Sequence, residues 1–285
     1  MKKALVAAMF FVTSLCMTAC STAAQPPVEP STDDEPLYAE ENEQVLQAET
    51  QTLAEFNSVK IDVLAADINI LPGEQWAVSY SLSDKEPIKR LAVEEGTLYL
   101  ETGFNSKEYF DRNQNWFVTV TIPKDASLTD VDLDTLSGNV DIQGFSCEAA
   151  MLSSTSGAID AKGITAKEMT MESVSGKISG TGLSSDNLDV ETVSSGMSVD
   201  GTFGVLKTAT VSGDTGLSGS ISTKGSVKST SGNIELVVSC PSIQASSHGP
   251  VTLNGDRVES PLRLDDNVAV TLKSVSGGIS IKTNP

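Results

Sequence analysis

Past residue 130 the chain alternates apolar and polar residues in short runs, and the runs fall into columns when each is set against a Ser-Gly pair. Two and four residues after the glycine stand Val140 and Ile142, Ile159 and Ala161, Ile234 and Leu236, Val251 and Leu253, and Ile279 and Ile281. Before the pair lie Val131 and Leu133, Ala150 and Leu152, Met169 and Met171, and Leu188 and Val190. A period of two marks a strand buried on one face. Each repeat therefore predicts two short strands, joined at Ser-Gly and again near a later glycine. Gly138, Gly157, Gly176, Gly196, Gly213, Gly232 and Gly249 follow one another at 19, 19, 20, 17, 19 and 17 residues, and a further corner falls at Gly277. No single repeat can bury its apolar face alone, so a self-similar period near twenty predicts stacking. The expected fold is all-β: a single-domain β-solenoid (β-helix) with coils of about 19 residues and more irregular strands at its N-terminal end.

The pattern before residue 131 is looser. Val59 to Val63 alternates as a half-buried strand does, and Ala65-Ala66-Asp67-Ile68-Asn69-Ile70 repeats the later motif with Ala-Ala in place of Ser-Gly. It reads as a degenerate first coil. Strands are expected at Ala77 to Leu82, Leu91 to Glu94 and Thr97 to Glu101, with a hairpin turn at Glu95-Gly96. Trp116 to Ile122 closes the section as a strand that Pro123 confines to an edge or an end. Trp116, Val118, Val120 and Ile122 share one face, which predicts that the indole is core. Gln44 to Phe56 is compatible with a short helix.

The start of the chain has a different character. Lys2 and Lys3, an apolar run from Ala4 to Val12 and then Met17-Thr18-Ala19-Cys20 make an export signal ending in a lipobox-like cysteine. Residues 1–19 are read as a lipoprotein signal peptide, with Cys20 the lipidated first residue of the mature chain. Residues 20–56 are read as an acidic, Pro-rich tether, since Ser21 to Val59 contains no Lys or Arg and too little apolar surface for a core. Residues 57–285 are the β-helix, irregular over 57–130 and regular over 131–285.

A formal charge of -19 argues against nucleic acid as a partner, because phosphate contacts need clustered cations. It also argues against attraction to anionic lipid, so the membrane is reached through the anchor on Cys20.

The leading Val-x-Ile-x-Val strand, the Ala-Asp-Ile-x-Ile unit, Val-Thr-Ile-Pro-Lys at 120 to 124 and the Ser-Gly-x-Ile repeats together resemble the bacterial putative-adhesin β-helix family, a domain of unknown function. The resemblance spans roughly residues 57 to 285. It implies a surface-exposed solenoid, some members being associated with envelope-stress responses, and it brings no catalytic residues.

The chemistry-bearing residues have modest readings. A serine repeated in nearly every coil points to turn geometry, and a nucleophile elbow would need a strand-turn-helix setting and a histidine. His248, the one histidine, stands at a corner. Asp141, Asp160 and Asp200 recur near one position of successive coils and read as solvated outer-face acids. As a polysaccharide-active enzyme site the column is interrupted by Ser179, and no Arg lies between Asp130 and Arg257. Cys147 and Cys240 fall in coils too far apart to bridge and are expected as free thiols. The loop Phe104 to Asn115, with Tyr109, Phe110 and Arg112, mixes aromatic and polar residues and is the expected ligand contact. No cofactor or metal set is marked. The function expected is non-enzymatic: a lipid-anchored envelope scaffold for an unknown surface ligand, whether protein, peptide or glycan. The rivals are an envelope-stress sensor for cationic peptides and a β-helix polysaccharide-active enzyme.

Overall fold

The computed structural model describes residues 49–103, 115–239, 242–264 and 269–283, and every regular element in them is a strand of one sheet system. The first seven are β1 (Glu49–Thr52), β2 (Ser58–Val63), β3 (Asp67–Gly73), β4 (Ala77–Ser81), β5 (Ile88–Glu94), β6 (Thr97–Thr102) and β7 (Phe117–Pro123). The middle holds β8 (Ser127–Thr135), β9 (Val140–Gln143), β10 (Ser146–Ser154), β11 (Ile159–Lys162) and β12 (Thr165–Ser173). Three long strands follow, β13 (Ile178–Thr192), β14 (Met197–Thr210) and β15 (Thr215–Ser229). The last seven are β16 (Ile234–Ser239), β17 (Ile243–Ser246), β18 (Val251–Leu253), β19 (Asp256–Val258), β20 (Leu262–Arg263), β21 (Val270–Ser274) and β22 (Ile279–Thr283).

The apolar columns of the sequence are ladders in space. Leu133, Leu152, Met171 and Val190 stand side by side on parallel strands, and so do Val140, Ile159, Ile178 and Met197 on the other side of the corner. All are buried, and they belong to a core that runs from Phe56 to Ile281. Main-chain groups pair between coils while the core stays thin, the economy of a stacked-repeat protein. The strands β8, β10 and β12 are not straight: Thr129, Glu148 and Lys167 drop out of the ladder, and two consecutive residues face outward there. Each coil thus has one bend more than the two-strand pattern predicts.

Chain order and spatial order agree only in the middle. The unit built on Ala65-Ala66 is a coil, but it is second in the stack. β2 lies between β6 and β8, and β3 between β7 and β9, so the later strands β6 and β7 form the outer coil. The C-terminal end repeats the device: β21 lies between β15 and β17, and β22 between β16 and β18. At each end the chain lays down an outer coil separated from the stack by one intercalated coil. Antiparallel strands flank both ends, β5 on β6 and β4 on β7 at one, β20 on β17 and β19 on β18 at the other.

Glu95 and Gly96 form the expected hairpin turn with positive φ values of 50 and 76, and Pro123 ends β7. The short helix over Gln44 to Phe56 is not found in the described part of that span. Residues 49–52 are β1, which pairs antiparallel with β4, because an open sheet edge offers partners for four extended residues that bury nothing as a helix. Among the described residues no helix is long and apolar enough to cross a membrane.

Candidate functional site

The most repeated polar feature of the molecule is the corner. Gly157 N–H donates to Ser154 Oγ at 2.8 Å, and Ser154 Oγ donates to the Gly138 carbonyl of the neighbouring coil at 3.0 Å. Thr135, Ser173, Thr210, Ser229 and Ser274 accept the N–H of Gly138, Gly176, Gly213, Gly232 and Gly277 in the same way. The serine next to the glycine faces the other way: Ser156 Oγ and Ser231 Oγ donate to the Leu136 and Val211 carbonyls one coil away. The motif is therefore [Ser/Thr]-x-Ser-Gly with two hydroxyls in separate roles. The buried first hydroxyl was in the sequence at a fixed distance of three residues; it escapes a reading that tracks only apolar columns.

Two glycine columns serve two needs. A Cβ on Gly157 would lie 1.8 Å from the Gly138 carbonyl oxygen, and on Gly176 1.7 Å from that of Gly157, so these corners are glycine because neighbouring backbones touch. Gly163, at the second turn, has a φ of +59 and open space where a Cβ would be. Gly249 continues the corner column above Gly277, which itself sits on Gly232.

Gly196 departs from the column. Met197 pairs with Ile178, which sets Ser195 rather than Gly196 in step with Gly176, and Gly213 packs on the Ser195 carbonyl. The core residue decides the register, and the glycine lands one step late. In that coil Thr192 Oγ1 is buried without a partner.

At the N-terminal end the corner N–H groups of Leu64 and Ala65 in the second coil bond to a side chain from outside the repeats. Glu86, fully buried, supplies the acceptors: its Oε1 takes Leu64 N–H at 2.5 Å and Thr102 Oγ1 at 2.7 Å, and its Oε2 takes Ala65 N–H at 3.2 Å. At the other end Ser260 Oγ accepts Ser247 N–H at 3.0 Å and donates to the Ser247 carbonyl at 2.9 Å. His248 is exposed in that last corner, with Nδ1 donating to the Val275 carbonyl at 2.9 Å.

The outward faces carry the charge. Asp141 and Asp160 are ladder neighbours that share Lys162, at 3.5 and 2.6 Å, and the hydrogen bond to Asp160 leads the effects that raise the Lys162 pKa. Asp200 is not in their column: the position in step with Asp160 passes through Ser179 and Ser198, and Asp200 accepts from Ser218 Oγ at 2.7 Å. On the long-strand side Asp62 pairs with Asp134, and Glu172 with Glu191. Burial, then the Glu191 and Asp189 carboxylates, hold the Glu172 carboxyl above its ordinary value. Lys207 bridges Asp189 and Glu191 at 2.6 and 2.9 Å.

A shallow depression of about 470 Å³ opens where Ser198 and Gly216 keep the short-strand face low between Lys177 and Glu235. Cys147 is a buried free thiol pushed up to about 12 by burial and then by Asp130. Trp116 is core, 4% exposed. Cys20, Tyr109, Phe110, Arg112 and Cys240 lie outside the described residues.

Comparison with curated proteins returned no match. Among solved structures the chain is similar to a putative adhesin from Bacteroides fragilis, with 12% identity, 85% of this chain and 97% of that one covered, and a TM-score of 0.41. A putative adhesin from Parabacteroides distasonis shares 11% identity over 85% and 98% of the two chains, with a TM-score of 0.45. A putative lipid binding protein from Parabacteroides distasonis shares 17% identity over 84% and 97%, with a TM-score of 0.40. The sequence profile of the Toastrack DUF4097 family matches residues 56–285, and the chain belongs to that family.

Proposed function

We propose that the protein is a non-enzymatic scaffold of the cell envelope, held by a lipid on Cys20 and spaced from the bilayer by the residues between Cys20 and β1, whose stacked coils, of about 19 residues each, present flat faces to a surface ligand. The observation that carries this reading is the division of labour among polar side chains. The repeated hydroxyls at the corners are spent on the backbone of adjacent coils, while the charged groups stand on the outer faces in register. Such an arrangement suits contact over an extended partner. The relatives termed adhesins agree with it.

Two experiments test it. Cys20→Ala is expected to move the protein from the membrane fraction to the soluble fraction; retention in the membrane would remove the lipid anchor from the reading. A pull-down from native envelope, with the full chain and with a chain lacking residues 21–48, is expected to recover the same ligand with both, and loss on truncation would transfer binding to the tether.

A second reading, a sensor of cationic peptides, is favoured by the facing pairs Asp62 with Asp134 and Glu172 with Glu191. Like charges facing each other at strand spacing repel, and a bound cation relieves that repulsion. Binding that disappears in high salt supports the sensor, and salt-resistant binding to a neutral glycan supports the adhesive scaffold.

A further inference from the structure

Of all the described strands, β1 alone has no buried or half-buried residue, yet it is seated on the most buried edge of the N-terminal end. It runs antiparallel to β4 with Glu49 opposite Tyr80, Thr50 opposite Ser79, Gln51 opposite Val78 and Thr52 opposite Ala77. All four of its side chains are exposed, whereas four of the five residues of β4 are buried. What holds it is the ladder and three polar contacts: Thr50 Oγ1 with Ser79 Oγ at 2.5 Å, Tyr80 Oη donating to Glu49 Oε2 at 2.5 Å, and Gln51 Nε2 donating to Tyr80 Oη at 3.4 Å. A strand that hides no apolar surface gains only the small net worth of its main-chain bonds, and this is offset by the cost of ordering its residues. The segment after it is fixed: Leu53 N–H donates to the Trp76 carbonyl at 2.9 Å, and Phe56 is buried with its ring 4.4 Å from that of Trp76. Release of β1 can therefore stop at Leu53 and leave the core intact.

Removal of β1 opens the ladder groups of β4 and deprives the Tyr80 hydroxyl, on a side chain only 9% exposed, of its acceptor. An open edge of that kind takes up an extended chain, with main-chain bonds giving affinity and the side-chain positions giving selectivity. We propose that the outer edge of β4 is a docking site for an extended segment of a partner protein, one that runs antiparallel and places a carboxylate opposite Tyr80 and a hydroxyl opposite Ser79, and that β1 is the chain's own occupant of that site. β1 is the pattern for its competitor: acid, hydroxyl, then polar residues. The site is separate from the charged faces, so it stands whatever ligand those faces bind.

The test uses the full chain and a fluorescent peptide with the sequence of residues 47–54. A Thr50→Pro/Gln51→Pro chain, whose β1 cannot keep its ladder, is expected to bind the peptide at least tenfold more tightly than the unaltered chain. A Thr50→Cys/Ser79→Cys chain, oxidised to clamp β1, is expected not to bind it. The same peptide with Gln at the Glu49 position is expected to bind at least fivefold more weakly. Equal binding to clamped and unclamped chains overturns the proposal, and so does no binding to the proline variant when its Tm matches that of the unaltered chain. Dimerisation of the proline variant without peptide uptake also overturns it, since the occupant would then be a second copy. Hydrogen exchange on the unaltered chain is independent of all variants: amides bonding β1 to β4 are expected to exchange at least tenfold faster than those bonding β4 to β7, and equal protection overturns the proposal.

Discussion

The middle of the stack and its two ends solve the same problem with different means. In the middle, a corner's N–H and carbonyl groups meet the next copy of the same corner, as Ser156 N–H meets the Leu136 carbonyl and Ser154 Oγ meets the Gly138 carbonyl. At the ends, among the described residues, other side chains take the place of that partner. A buried carboxylate from another strand connection, Glu86, closes one end, and the hydroxyl of Ser260 closes the other. The ends also reverse chain order, each setting a later coil beside an earlier one. A repeat protein built only from its repeat would leave frayed terminal coils and open sheet edges. The lesson is that the repeat carries its own hydrogen-bond partner, and wherever the repeat stops the partner must be supplied by residues that belong to no repeat.

The sharpest way to break that contrast is at the cap. Glu86→Ala leaves the half-buried N–H groups of Leu64 and Ala65 without their side-chain acceptor and empties a buried position, and a loss of about 2–4 kcal/mol is expected in chemical denaturation. Next comes backbone contact in the middle. Gly157→Ala places a Cβ against a main-chain oxygen that cannot swing away, and is expected to cost about 3 kcal/mol or more. Gly163→Ala, with open space and only an unfavourable φ, is expected to cost about 1 kcal/mol. If the two glycine variants have equal Tm values, the two-column account fails.

The hydroxyl column gives a finer comparison. Ser154→Ala strands both Gly157 N–H and the Gly138 carbonyl, and about 1–3 kcal/mol is expected to be lost. Thr192→Val removes a hydroxyl that is buried without a partner. It is expected to change stability by no more than about 0.5 kcal/mol, or to raise it. A large loss at Thr192 would show that its hydroxyl is engaged.

The smallest effect concerns charge. The Glu172 carboxyl is held above its ordinary value, so the folded state binds its proton more tightly than the unfolded state does. The associated stability is present below the unfolded pKa, about pH 4.5, and is lost as pH rises through the folded value. Glu172→Gln is therefore expected to raise Tm slightly at pH 7 and to have no effect near pH 4. A gain of the same size at both values would exclude titration as the cause.

Much of this molecule is legible from the sequence alone. Apolar residues at a period of two, repeated at a nearly constant interval, determine parallel stacking, because only adjacent copies can bury those faces and pair those backbones. The worn copy at Ala65-Ala66 and the hairpin at Glu95-Gly96 were readable for the same reason, as local patterns with local consequences. Tertiary structure decided what depends on contacts between distant segments. It put the first copy second in the stack and inserted β21 and β22 beneath β17 and β18. It chose Ser195 over Gly196 by matching Met197 to Ile178, since buried apolar registry outweighs the preference of one corner for glycine. It also turned Glu86, an ordinary acid in a sequence rich in acids, into the cap of the corner ladder. A periodic sequence specifies what each copy does for its neighbour; where neighbours run out, the solution comes from residues far apart in the chain, and only the folded chain brings them together.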